Sequence, residues 1–257
     1  MGLTDQLRPG ESAVGNWISI GHPAVGELCA RGFDFVVVDT EHTDMSLETV
    51  GNVLRGIDGL EENVPALVRV PWNDPVRIKR VLDQGADGVV VPMVETAVEA
   101  ERAVEATRYP PEGIRGVAPA RASNYGRGFG DYFERANDDV VTVVQIESVE
   151  GVDNAAEIVS VDGVDAVLVG PGDLSASLGV FGRWESDRFR EALATVIDAT
   201  HEVGCPIGLF ATGPDDIHRW VNAGADFVIA GTDTFYIEVG SDDARTTFEA
   251  AVDDATE

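Results

Sequence analysis

Four segments of this 257-residue chain are variations on one phrase: Gly32-Phe-Asp-Phe-Val-Val-Val-Asp39, Gly85-Ala-Asp-Gly-Val-Val-Val-Pro92, Gly163-Val-Asp-Ala-Val-Leu-Val-Gly170 and Gly224-Ala-Asp-Phe-Val-Ile-Ala-Gly231. Each opens on a glycine suited to a helix end, passes through a polar turn and enters a short, apolar, β-branched run. A strand apolar on both faces belongs in a parallel sheet covered by helices. Four further strand candidates, 14–20, 66–70, 140–146 and 206–210, alternate with these. The stretches 75–84, 96–108, 151–160 and 186–203 carry helical spacing between them. Eight strands alternating with helices over this length have the rhythm of an α/β TIM (β/α)8 barrel, expected as a single domain over 1–257. A doubly wound open sheet is the alternative, but no Gly-x-Gly-x-x-Gly follows the first strand. The longest irregular stretch, 109–139, is expected to be a functional loop.

Composition narrows the partners. The formal net charge is −28, so a nucleic acid or an anionic membrane would be repelled at almost any orientation. With 44% hydrophobic residues, the chain still has the material for a full core. Its 18 cationic residues include a single lysine, Lys79. A carboxylate-rich, lysine-poor surface is the pattern expected of a halophilic protein, where salt shortens the range of self-repulsion. The first residues, 1–11, show no signal-peptide pattern, and no run reaches the ~20 apolar residues of a membrane span. Cys29 and Cys205 sit in apolar contexts and are expected as reduced thiols, which together point to the cytoplasm.

A barrel collects its chemistry just beyond the C-terminal ends of its strands. Those positions hold Asp39-Thr-Glu-His42, Arg69, Gln145-Ile-Glu147 and Gly170-Pro-Gly-Asp173. Gln145 and Glu147 are two apart and share one face of a strand. A glutamate there is paired, for instance with Arg69 or Arg115, or binds a cation. Asp173 is either a helix N-cap, or a metal ligand beside amides of Gly172, Asp173 and Leu174 that face a substrate carboxylate. Two carboxylates with water would suit Mg2+ or Mn2+, with Co2+ as a further option. His42 is a general base or a loop cap; His22 lies in a loop, and His201 and His218 lie in helices.

Gly15-Asn-Trp17, Asp39-Thr-Glu-His42, Arg69-Val-Pro71, Tyr109-Pro-Pro-Glu-Gly-Ile-Arg-Gly116, Arg121-Ala-Ser-Asn-Tyr-Gly126, Val144-Gln-Ile-Glu147 and Val169-Gly-Pro-Gly-Asp-Leu-Ser-Ala-Ser-Leu-Gly179 resemble, in order, the HpcH/HpaI family of metal-dependent class II pyruvate aldolases. The resemblance implies a TIM barrel that cleaves a 4-hydroxy-2-oxo acid to pyruvate and an aldehyde. It implies Glu147 and Asp173 as metal ligands, with Gln145 beside them and Arg69 on the pyruvyl oxygen. His42 would be the base, paired with Asp83, and amides around Gly172 and Asp173 would hold the pyruvyl carboxylate. It also implies a homo-oligomer, commonly a hexamer, with a C-terminal helix over 241–257 exchanged between subunits. Trp17, Asn16, Ser19, His22, Phe210, Thr212 and 232–236 are left as candidates for shaping the aldehyde end.

Three rivals share the barrel: a lyase of malyl- or citramalyl-CoA type, a phosphate-handling enzyme using Gly213 and Gly231, and a non-catalytic binder of pyruvate-like acids. CoA would draw on Arg115, Arg121 and Arg127, whereas Asp215, Asp216 and Asp233 would oppose a phosphate. A Schiff-base aldolase needs an active-site lysine. Lys79 lies in an expected helix, well past a strand end.

Overall fold

The computed structural model describes residues 12–255, in which eight parallel strands close into a barrel in chain order. They are β1 (Ala13–Ile18), β2 (Phe35–Asp39), β3 (Ala66–Arg69), β4 (Gly88–Val91), β5 (Val141–Gln145), β6 (Ala166–Val169), β7 (Ile207–Phe210) and β8 (Phe227–Thr232). Closure is explicit in the pairing of β1 with β8, where Ala13 faces Phe227 and Gly15 faces Ile229. This excludes the open sheet. Strand five is one residue shorter at each end than its expected span, so Glu147 lies two residues beyond it.

The fourfold phrase has a long-range cause. In every copy the aspartate precedes its strand and accepts the backbone N–H of a residue in the strand before: Asp34 from Val14 at 2.8 Å, Asp87 from Ala66 at 2.8 Å, Asp165 from Thr142 at 2.7 Å and Asp226 from Ile207 at 3.0 Å. Each aspartate N–H also donates to the carbonyl of that same residue, at 2.8–2.9 Å. The repeat therefore stitches β1 to β2, β3 to β4, β5 to β6 and β7 to β8 at the N-terminal end of the barrel. Burial pushes the Asp87 and Asp165 carboxyls above the ordinary range.

Strand alternation builds two cores. Ala13, Phe35, Leu67, Val90, Val143 and Leu168 belong to the cluster that fills the barrel, while Val36, Val38, Val68, Val89 and Val167 pack outward against helices. Gly15 and Gly208 are required by this filling: a Cβ on either would fall into the ring of Phe35 or Phe227, and those rings meet edge-on at 5.8 Å.

The outer layer comprises α1 (Pro23–Ala30), α2 (Leu47–Ile57), α3 (Pro75–Asp83), α4 (Ala97–Thr107), α5 (Phe129–Asp139), α6 (Val149–Asp153), α7 (Ala155–Val159), α8 (Pro171–Ser177), α9 (Asp187–Val203), α10 (Pro214–Ala223) and α11 (Asp233–Asp254). Side-chain caps fix several starts, including Asp74 for α3 and a reciprocal Thr96–Glu99 capping box for α4. The expected irregular stretch 109–139 is partly helical. It holds a 3-10 segment, Arg121–Gly126, with Asn124 and Tyr125 in the left-handed region, followed by α5. His22 lies at the end of the loop before Pro23 and caps α1, its Nδ1 accepting the Ala24 N–H at 3.2 Å. Cys29 and Cys205 are free thiols, and burial pushes Cys205 up to about 12. No described helix is long and apolar enough to cross a membrane. The reading of residues 1–11 falls outside the described residues, as do the last two residues of the 241–257 segment.

Candidate active site

Inward-facing positions recur every second residue, so the series Phe35, Val37, Asp39 on β2 and Leu67, Arg69 on β3 bring Asp39 and Arg69 to the barrel mouth as register partners. Arg69 Nε and Nη2 donate to the two carboxylate oxygens of Asp39, both at 2.8 Å, and Nη1 reaches Glu41 Oε2 at 2.8 Å. Its guanidinium also lies 4.6 Å over the Trp17 ring. Burial pushes the Asp39 carboxyl up, but the Arg69 hydrogen bonds and charge overcome this and hold it below its ordinary range. Glu41 is raised, by burial first and then by Asp39 and Asp173, against Arg69 and His42.

Glu147 occupies the next position around the mouth and is 3% exposed. Its Oε1 accepts the Met93 N–H at 2.9 Å and its Oε2 accepts from Gln145 Nε2 at 3.0 Å. Gly170 makes room for it, because a Cβ there would lie 2.5 Å from Oε2. Burial, and then the charges of Asp173 and Glu41, push Glu147 up to about 7. Beside it, Gln145 Oε1 is a buried acceptor with no hydrogen-bond donor.

Asp173 lies in the first turn of α8, three residues after the N-cap Gly170, so it is not the N-cap. Gly172 and Asp173 hold the first-turn N–H groups that have no intrahelical acceptor, Pro171 having none to offer. The expected Leu174 contact is corrected: its N–H is committed to Gly170 O at 2.9 Å.

These groups meet in a cavity of about 350 Å³ lined by Trp17, His42, Arg69, Gln145, Gly172 and Asp173, with an aromatic wall opposite. His42 stands at the rim with its side chain 70% exposed, and its nearest charged partner is Glu41 at 3.9 Å. The expected Asp83 partner is corrected as well. Asp83 ends α3, away from the strand ends, and pairs with Arg115 Nη2 at 3.2 Å. Lys79, on the same helix, packs beside Gly116 and is absent from the cavity lining. Asp39 and Glu41, expected only as part of Asp39-Thr-Glu-His42, join the site by holding Arg69, and Phe181, Trp184, Trp220 and Asp216 line the cavity without having been singled out for it. For Asp39 the signal was present in the alternation of β2.

The carboxylate set fits a divalent cation. Glu147 is buried and feels the negative charge of the exposed Asp173, Gln145 Oε1 is a buried acceptor without a donor, and all the oxygens are hard ligands. Among the described residues no group of three His, Cys, Asp or Glu side chains gathers on one point. Two carboxylates completed by water are the sparse set that Mg2+ accepts.

A family model described as HpcH/HpaI aldolase/citrate lyase matches residues 14–238. The chain is 39% identical over 242 residues to a 4-hydroxy-2-oxovalerate aldolase of Novosphingobium aromaticivorans, covering 92% of this chain and 90% of that one. It is 39% identical over 249 residues to a 4-hydroxy-2-oxo-heptane-1,7-dioate aldolase of Salmonella dublin, covering 96% and 94%. A crystal structure of an HpcH/HpaI aldolase/citrate lyase family protein from Burkholderia cenocepacia superposes with a TM-score of 0.92 at 34% identity, covering 96% of this chain and 98% of that one.

Proposed function

The chain belongs to the HpcH/HpaI aldolase/citrate lyase family, and we propose that it is a divalent-metal-dependent aldolase that reversibly cleaves a 4-hydroxy-2-oxo acid to pyruvate and an aldehyde. The observation that carries the metal is the buried Glu147 carboxyl, raised further by the charge of Asp173, beside the orphaned Gln145 carbonyl.

Glu147 and Asp173 would hold the ion, Mg2+ or Mn2+ by the hardness of the donors. When bound, it supplies Lewis-acid polarisation of the substrate ketone. The amides of Gly172 and Asp173 receive the pyruvyl carboxylate, which also gains from the positive end of the first turn. Arg69, locked by Asp39 and Glu41 and backed by Trp17, presents fixed positive charge where the enolate oxygen develops as the C3–C4 bond breaks. Because its donors are already oriented, no reorganisation is needed at that moment. His42, at the rim and open to solvent, takes the 4-hydroxyl proton and can exchange it with water. Its charged neighbour is within Asp39-Thr-Glu-His42 itself: Glu41 faces the ring at 3.9 Å, and Asp39 accepts the Glu41 backbone N–H at 3.0 Å.

The rival CoA chemistry is disfavoured because two of the three arginines it would need are engaged, Arg115 buried against Asp83 and Arg121 held by Asp58 and by Gln84 O at 2.5 Å, which leaves the exposed Arg127. In α11 only Asp233 is buried, which supports the proposal that this helix packs on a second copy of the chain. The acidic, lysine-poor surface supports work in concentrated salt.

The test is pyruvate release from a panel of 4-hydroxy-2-oxo acids in high salt, with and without EDTA. Release that EDTA abolishes and Mg2+ or Mn2+ restores is expected; no metal-dependent release from any of them would overturn the proposal.

A further inference from the structure

The cavity has two halves of opposite character. Around Arg69, Gln145 and Asp173 it is polar; the remainder is walled by Trp17, Phe181, Trp184, Phe210 and Trp220. All of these rings but the exposed Phe181 pack on one another. Trp184 and Trp220 meet edge-on at 6.1 Å, and Phe189 packs behind both. Trp17 and Phe210 meet edge-on at 5.6 Å, and the Trp220 indole N–H donates to Phe210 O at 2.9 Å.

The polar groups that border this half are satisfied by one another. Asp216 Oδ2 accepts from the Thr212 hydroxyl at 2.5 Å, and its Oδ1 is paired with Arg219. Arg219 also reaches Glu185 at 3.1 Å. Arg183, between Phe181 and Trp184 in the chain, turns back to the Gly179 carbonyl at 3.3 Å and does not line the cavity. Among the described residues, the one arginine in the lining is Arg69, which lies at the other end, held in place by Asp39 and Glu41. Among the described residues of this chain, a carboxylate entering the aromatic half would meet no free arginine or lysine and would face Asp216, His42 lying at the rim.

We infer that the aldehyde half of the substrate is uncharged and apolar, an alkyl chain or an aromatic ring, and that an ω-carboxylate is rejected. The inference rests on the aldolase reading and specifies its substrate. Burying a carboxylate with no partner is costly enough to predict a preference of at least about 100-fold in kcat/KM for the neutral aldehyde. The aromatic faces supply area for the tail but no hydrogen bond that would fix a polar group.

The test compares aldol addition of pyruvate to pentanal, benzaldehyde and succinic semialdehyde by the metal-loaded full chain. Deuterium exchange into the pyruvate methyl group in D2O, which needs no aldehyde, is followed in parallel. Exchange together with a preference for pentanal and benzaldehyde supports the inference. Exchange with equal or better use of succinic semialdehyde overturns it while leaving the aldolase reading intact. Absence of both exchange and addition removes the aldolase reading and the inference with it. Phe181 is 74% exposed, so Phe181→Ala leaves the core untouched. It should lower kcat/KM for benzaldehyde several-fold more than for acetaldehyde, and an equal effect on both would overturn the role of the wall.

Discussion

Glu147 must lose a proton before it can hold a cation. Burial, then Asp173 and Glu41, move it from its ordinary 4.5 to about 7. The folded, metal-free protein thus binds more protons than the unfolded chain across that window, and this carboxyl's contribution to stability falls as pH rises through it. A divalent ion competes with that proton. Its apparent affinity should therefore fall about tenfold per pH unit below about 7 and level off above it. Mn2+ titrations followed by EPR at several pH values check this, with Glu147→Gln expected to bind weakly and without the slope; a flat profile in the native protein would count against Glu147 as a ligand. Lys79 supports the same chemistry from the opposite side. Being the chain's one lysine and lying on α3 beside Gly116, it cannot form an imine with substrate in the cavity. Pyruvate with borohydride should leave activity intact, whereas inactivation with a label on Lys79 would contradict the metal route.

At the scale of elements, the aspartate stitches divide stability from catalysis. Asp165 bonds the Thr142 backbone at the N-terminal end of the barrel, opposite the cavity. Asp165→Ala leaves that buried N–H without its acceptor, at a cost of about 1–3 kcal/mol. Urea unfolding should show the loss while kcat stays within about twofold, since no site residue moves; a large fall in kcat with unchanged stability would be inconsistent. The apolar strands that follow these aspartates were legible because their composition is local. What each aspartate bonds was not, since a partner about twenty residues away is fixed only by barrel register. The same division runs through the site. Arg69, Gln145 and Asp173 were readable as strand ends, and β2 alternation was enough to place Asp39 beside them. Asp83 was misplaced because helical position sets it: α3 starts after β3 and returns toward the start of β4, carrying its last residue away from the mouth. Leu174 was misread because α8 begins at Pro171, one turn before the apolar residues that suggested its start.

For the whole molecule, the net charge of −28 is a force acting on every element at once. Many carboxylates, including most of those on α9 and α11, are exposed, and much of the arginine is already paired. At about 0.1 M salt the screening length is ~10 Å, long enough for neighbouring surface carboxylates to repel; at about 1 M it is ~3 Å, and that repulsion is confined to contact. The buried links at the site are far less affected, since Arg69, Asp39 and Glu147 are shielded from solvent ions. Salt should therefore act on stability before it acts on chemistry. The thermal midpoint should rise steadily from about 0.1 M to molar KCl, while metal affinity at fixed pH changes little over the same range. Differential scanning calorimetry and metal titration on the same samples separate the two. A midpoint independent of KCl would mean that self-repulsion does not limit this fold, and would remove the physical basis for reading its acidic surface as an adaptation to salt.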